Sequence, residues 1–147
     1  MSRPAPATRD GFRAWRRFTT RWADNDAYGH VNNTVYYQWF DSAVNGWLVE
    51  RGLLDIAAGD PIALVVDTRC TYHRPLAFPV DVDVGLAVAE LGRSSVRYRI
   101  GVFASPEVEA ATAEGEFVHV AVARSSRRPV AWPETWRRAL EGLVIPA

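Results

Sequence analysis

Apolar positions recur along this chain in two rhythms, and the change of rhythm divides it into elements. Between Phe12 and Trp22, aromatic and β-favouring residues mix with arginine and threonine, which predicts a strand. From Asn32 or Asn33 to about Arg51 the period lengthens. Val35/Tyr36, Trp39/Phe40, Ala43/Val44 and Trp47/Leu48 return at helical spacing, and Thr34, Gln38, Asp41 and Asn45 form a narrow polar stripe. A helix this apolar is expected to be buried over most of its circumference. Either asparagine can cap its start, and Gly52 can stop it.

The remainder alternates with a period of two. Ile62, Leu64, Val66, Thr68, Cys70 and Tyr72 are expected to share one strand face. Val80, Val82, Val84, Leu86 and Val88 alternate with Asp81, Asp83, Gly85, Ala87 and Ala89 in the next strand. Val96, Tyr98, Ile100 and Val102 make a third, against Arg97 and Arg99, and Val118, Val120 and Val122 sit in a fourth. The turns Leu91-Gly92-Arg93 and Ser105-Pro106-Glu107 are short, which favours antiparallel neighbours. Pro133 to Leu140 predicts a short terminal helix with Pro and Glu in its first turn.

Residues 1–11, rich in Pro, Ala and Arg, predict a loose arm ahead of a single domain over 12–147. One helix cannot shield both faces of a five-stranded sheet. The simplest packing curls the sheet around the helix, and the open edges then invite a second copy.

Composition narrows the picture a little. A chain of 147 residues, 48% hydrophobic and 23% charged, suits one globular domain. Seventeen basic and seventeen acidic residues cancel, so no global field draws in nucleic acid or an anionic membrane. The stretch from Arg124 to Arg128 is short and reads as a solvated strand end. No apolar run approaches the ~18 residues of a membrane span, and Met1 to Ala7 lack the apolar stretch of a secretory signal. The single cysteine, Cys70, allows no internal disulfide, so a cytoplasmic location is expected. Cys70 reads as a small core residue. His73 and His119 have no ligand-like spacing to it or to each other, so no metal site is expected.

The chemistry concentrates in Arg21-Trp22-Ala23-Asp24-Asn25-Asp26-Ala27-Tyr28-Gly29-His30-Val31-Asn32-Asn33-Thr34. Two carboxylates, a histidine and three asparagines crowd a turn-prone loop that feeds the start of the buried helix. A helix N-terminus offers free N–H groups and partial positive charge, suited to an oxyanion. A carboxylate beside it can attack a carbonyl or activate a water to do so. Asp24 reads as a residue that hydrogen-bonds within the loop, Asp26 as the reactive one.

This segment resembles the hotdog-fold thioesterases of the 4-hydroxybenzoyl-CoA thioesterase type, whose signature runs roughly D-x-D-x-x-G-H-V-N-N-x-x-Y. Here Asp24 to Tyr36 match it nearly throughout, and Tyr72-His73-Arg74-Pro75 is similar to the family's Y-x-R-P segment. The resemblance implies an α+β hotdog fold, an antiparallel sheet of about five strands wrapped around a long central helix. It implies hydrolysis of an acyl-CoA or acyl-carrier-protein thioester, with no cofactor apart from the coenzyme A of the substrate.

By the same resemblance Asp26 is the catalytic carboxylate, the Asn33 main-chain N–H polarises the carbonyl, and His30 is the histidine of the signature. Related carrier-protein thioesterases have an asparagine where this chain has Tyr28. Tyr28, Gly29, Tyr36, Tyr37 and Arg74 are the substrate-binding candidates, with Arg74 either a partner for a coenzyme A phosphate or an ordinary surface arginine. A homodimer, or a tetramer of paired dimers, is implied with sites between subunits. Two other readings stay open. One is a hotdog-fold hydratase or dehydratase, against which the Asp-x-x-Gly-His-Val-Asn-Asn arrangement argues. The other is an acyl-thioester binding module without turnover.

Overall fold

The computed structural model describes residues 4–105 and 108–145. Its elements run in chain order as β1 (Ala14–Thr19), α1 (Asn33–Glu50), β2 (Ile62–Tyr72), β3 (Asp81–Leu91), β4 (Ser95–Ala104), β5 (Ala113–Val122) and α2 (Glu134–Glu141). The five strands form one antiparallel sheet in the order β1-β3-β4-β5-β2, and α1 lies on one face of it. This is the expected architecture. Among the described residues, no helix is long and apolar enough to cross a membrane.

The helix starts and stops where the local chemistry dictates. Asn32 is the N-cap: its Oδ1 accepts from the Thr34 N–H at 2.9 Å, satisfying an amide with no intrahelical acceptor. At the other end Gly52 adopts φ +71°. Its N–H donates to the Val49 carbonyl, and the Leu53 N–H donates to that of Leu48. That pair of bonds is a Schellman motif, and glycine takes the left-handed position without a Cβ penalty.

The inner face of the sheet is largely apolar. Val82, Val84 and Leu86 of β3 and Tyr98, Ile100 and Val102 of β4 pack with Tyr36, Trp39, Phe40, Val44 and Leu48 of α1. α2 closes the same core with Trp136 and Leu140, and Trp132 stacks on Trp136 at 5.3 Å between ring centroids. His119 also points inward, opposite Val96, and is 1% exposed. Burial lowers its pKa to about 4, so the imidazole is held neutral.

Several expectations need correcting. β1 stops at Thr19, and Trp22 belongs to a 3₁₀ turn over Trp22–Asp24. β5 begins at Ala113, five residues before Val118. In β2 the ladder skips Val66: Val65 pairs with His119 and Asp67 with Val118. Cross-strand partners share a face, so this bulge puts Ile62 and Leu64 on the face opposite Thr68, Cys70 and Tyr72. The turn expected at Ser105-Pro106-Glu107 lies partly outside the described residues.

Within the segment ahead of β1, residues from Ala7 onward contact the sheet. Ala7 and Ala111 share a main-chain bond, and Thr8 bridges to Ala110. The Arg9 guanidinium pairs with Asp83 at 3.0 Å and lies over the rings of Trp15 and Phe103. Next in sequence, Phe12 fills the hollow over Gly85 and Gly101 on the outer face.

Candidate active site

The loop between β1 and α1 is shaped by its own hydrogen bonds. Asp24 is buried. Its Oδ2 accepts from the Arg21 main-chain N–H, and its Oδ1 accepts from the Arg21 guanidinium at 2.8 and 2.9 Å. Its carbonyl accepts from the Asn32 N–H, so Asp24 is structural, in line with the sequence reading. Beyond it the chain reverses tightly. The Asp26 N–H donates to the His30 carbonyl and the Gly29 N–H to the Asp26 carbonyl, with Gly29 at φ +83°. Only glycine adopts that conformation at little cost.

The reversal aims the residues unequally. Asp26 is half-buried, and its Oδ1 accepts from the Tyr28 N–H at 2.9 Å. None of the loop's hydrogen bonds uses Oδ2. Tyr28 stands 88% exposed, and Gly29 and His30 lie at the outer turn.

A second segment, Tyr72 to Phe78, meets this loop from the far end of β2. The Val31 N–H donates to the Leu76 carbonyl at 2.7 Å, and the Phe78 N–H donates to Asn25 Oδ1 at 3.1 Å. Between the two segments lies a cleft of about 390 Å³. Asp26, Val31, Asn33 and Tyr36 line one side, and Tyr72, His73, Arg74 and Pro75 the other. The rings of Tyr36 and Tyr72 meet edge-to-face at 5.0 Å, and the Tyr72 hydroxyl lies 3.4 Å from the Asn33 carbonyl. Burial pushes the Tyr36 hydroxyl up to about 12 and the Cys70 thiol, on the same face of β2 as Tyr72, up to about 11. These groups are therefore neutral near pH 7.

Asn33 is the first residue of α1, so its N–H has no acceptor within the helix and sits at the positive end of the helix dipole. The cleft thus places a carboxylate beside a helix N-terminus, with aromatic walls below. Chemically, a carboxylate and a helix N-terminus on one cleft can together serve attack on a carbonyl and stabilisation of its oxyanion. Among the described residues no group of three or more His, Cys, Asp or Glu could hold a metal ion.

Of the residues singled out from the sequence, Asp26, Asn33, Tyr36 and Arg74 come together here. Tyr28, Gly29 and His30 do not line the cleft. Neither does Tyr37, which turns toward Phe40 at 5.8 Å. Tyr72, His73, Val31 and Pro75 were missed as wall residues. The available signal was the Tyr-x-Arg-Pro segment itself, which marks the whole stretch rather than Arg74 alone.

The model of the thioesterase-like superfamily matches residues 20–140. In structure the chain is similar to the PA5185 protein of Pseudomonas aeruginosa, at 49% identity over 98% of this chain and 99% of that one, with a TM-score of 0.92. It is also similar to a thioesterase-superfamily protein from Jannaschia sp. CCS1 (25% identity, 92% and 87% covered, TM-score 0.80). A 1,4-dihydroxy-2-naphthoyl-CoA thioesterase from Synechocystis shares the fold at 20% identity (90% and 98% covered, TM-score 0.77). Among curated proteins, none matches this chain. The match spans the loop, α1 and the residues that line the cleft, and the chain belongs to the thioesterase-like superfamily.

Proposed function

We propose that this protein hydrolyses an acyl-CoA, or the matching acyl-carrier-protein thioester, to a free carboxylic acid and a thiol. The observation that carries the reading is the shared cleft of Asp26 and the Asn33 helix end. The thioester carbonyl accepts from the Asn33 N–H. Asp26 either takes a proton from a water that attacks the carbonyl carbon, or attacks it directly to form a mixed anhydride that water then opens. Both routes develop negative charge on the carbonyl oxygen, where the helix end is worth most. The C–S bond then breaks and the thiolate leaves, to be protonated by solvent. No cofactor enters beyond the coenzyme A that the substrate carries.

Arg74, exposed at the mouth of the cleft, is suited to a phosphate of the carrier. The working unit is a homodimer or a pair of homodimers in the cytoplasm. Support for the pairing comes from β2, an edge strand that leaves Val65 and Val66 45% and 61% exposed. The 4-hydroxybenzoyl-type resemblance places aryl acyl groups among the substrates to try.

The test is thiol release from short-, medium-, long-chain and aryl acyl-CoAs. Turnover of any member supports the reading and identifies the acyl preference. Tight binding of the panel with no turnover would replace hydrolysis by acyl-thioester binding.

A further inference from the structure

Glu114, on the outer face of β5, is the meeting point of two parts of the chain that are remote in sequence. Its Oε2 lies 2.8 Å from His73 Nε2 and accepts from the Ala7 main-chain N–H at 3.0 Å. A carboxylate only accepts, so the imidazole donates from Nε2. Arg99 Nη2, 3.7 Å from Oε1, braces the carboxylate from β4. His73 is mostly shielded, with 10% of its side chain exposed, and it belongs to the Tyr72–Pro75 wall of the cleft. The N–H groups of His73 and Arg74 both donate to the Thr112 carbonyl at 2.8 and 3.0 Å, between the Tyr72–Ala113 pairing of the sheet and the Val31–Leu76 bond. The imidazole–carboxylate bond adds a side-chain tie to the outer face of the sheet.

We propose that Glu114 is a positioning residue for the reaction in the cleft, tying the wall that faces Asp26 to the N-terminal segment through His73. The proposal rests on the hydrolytic reading above. It adds that residues 4–11, on the far face of the sheet, help set the distance between Tyr72–Pro75 and the catalytic loop. The segment can do so because Arg9 is itself fixed by Asp83 and the carbonyl of Val108. A small displacement of such a wall is enough to slow a reaction that depends on near-contact geometry.

The experiment compares Glu114→Ala, Glu114→Gln, Ala7→Pro and Asp83→Asn with the wild-type chain. Kinetics of thiol release are measured together with amide hydrogen exchange at His73 and Arg74. Glu114→Ala is expected to lower kcat about 10-fold and to speed exchange at both amides by a similar factor. Glu114→Gln keeps an acceptor oxygen and should restore most of both. Ala7→Pro removes one donor and should fall between, with an effect that is not additive with Glu114→Ala. Asp83→Asn weakens the anchor of Arg9 in the same segment, so it should lower stability and give a smaller fall in kcat and a smaller rise in exchange than Glu114→Ala.

Unchanged exchange in Glu114→Ala overturns the coupling. Faster exchange with wild-type kcat overturns the positioning role. A wild-type chain that releases no thiol counts against the proposed function instead, and the exchange data still decide the coupling.

Discussion

The two faces of the sheet are built by different physics. The inner face is a dry layer of α1 against β3, β4 and β5, with Phe40, Tyr98 and Leu48 almost wholly buried. On the outer face lie charged rows, in which Glu116 pairs with Arg69 and Arg97 and Asp83 with Arg9, crossed by an arm that contributes Phe12. Apolar burial scales with area and does not depend on direction, so the inner face supplies most of the stability. Ion pairs at the surface add little free energy, but their geometry is specific. The cleft sits where the two regimes meet. α1 brings the Asn33 N–H, the proposed oxyanion donor, from the inner side, while the Tyr72–Pro75 wall is held from the outer side.

If this division is right, substitutions should rank by face. Phe40→Ala removes a fully buried ring between α1 and the sheet and should cost about 3–5 kcal/mol in chemical denaturation. His119 gives the inner face a pH signature. Its folded pKa of about 4 lies below the ordinary value near 6.5, so the unfolded chain binds the proton more tightly. Stability should therefore be full above pH ~6.5 and fall as pH drops toward ~4, by up to about 3 kcal/mol, a slope that His119→Leu flattens.

Asp83→Asn on the outer face should cost less, about 2 kcal/mol near neutral pH. Burial pushes the Asp83 carboxyl up, but hydrogen bonds and charge from Arg17 and Arg9 outweigh it and hold the group below its usual range. Its contribution is present above the ordinary carboxylate range and is lost as acid protonates the folded state. Arg69→Ala, at an exposed pair with Glu116, should change stability by less than about 1 kcal/mol. An outer-face effect as large as that of Phe40→Ala would break the division.

The inner face was also the more legible from sequence. α1 repeats large apolar residues at helical spacing, and β3 and β4 alternate Val, Leu, Ile and Tyr with polar or small residues, so both periods stand out. The start of β5 was hidden because its inward positions, Ala113 and Gly115, are small. The bulge at Val66 is invisible where every residue is apolar and either parity fits. The contacts of Ala7 and Arg9 were hidden for a related reason: they reach residues 107 and 74 positions away, and no local period encodes them.

At the site, Asp26 and Asn33 were legible because one short motif holds both. The same motif could not show that the reversal at Gly29 turns Tyr28 and His30 outward, since that depends on main-chain bonds. The opposite wall comes from a segment about forty residues away and is joined by tertiary contacts such as the Val31–Leu76 hydrogen bond and the Tyr36–Tyr72 ring pair.

The central claim is that Asp26 performs chemistry in a cleft whose shape does not depend on it. The direct measurement is kcat of Asp26→Asn on the best acyl-CoA, with the affinity for that substrate determined on the same protein. The account predicts a fall in kcat of about 10²–10⁴-fold with affinity nearly unchanged. A variant that turns over at the wild-type rate would contradict it.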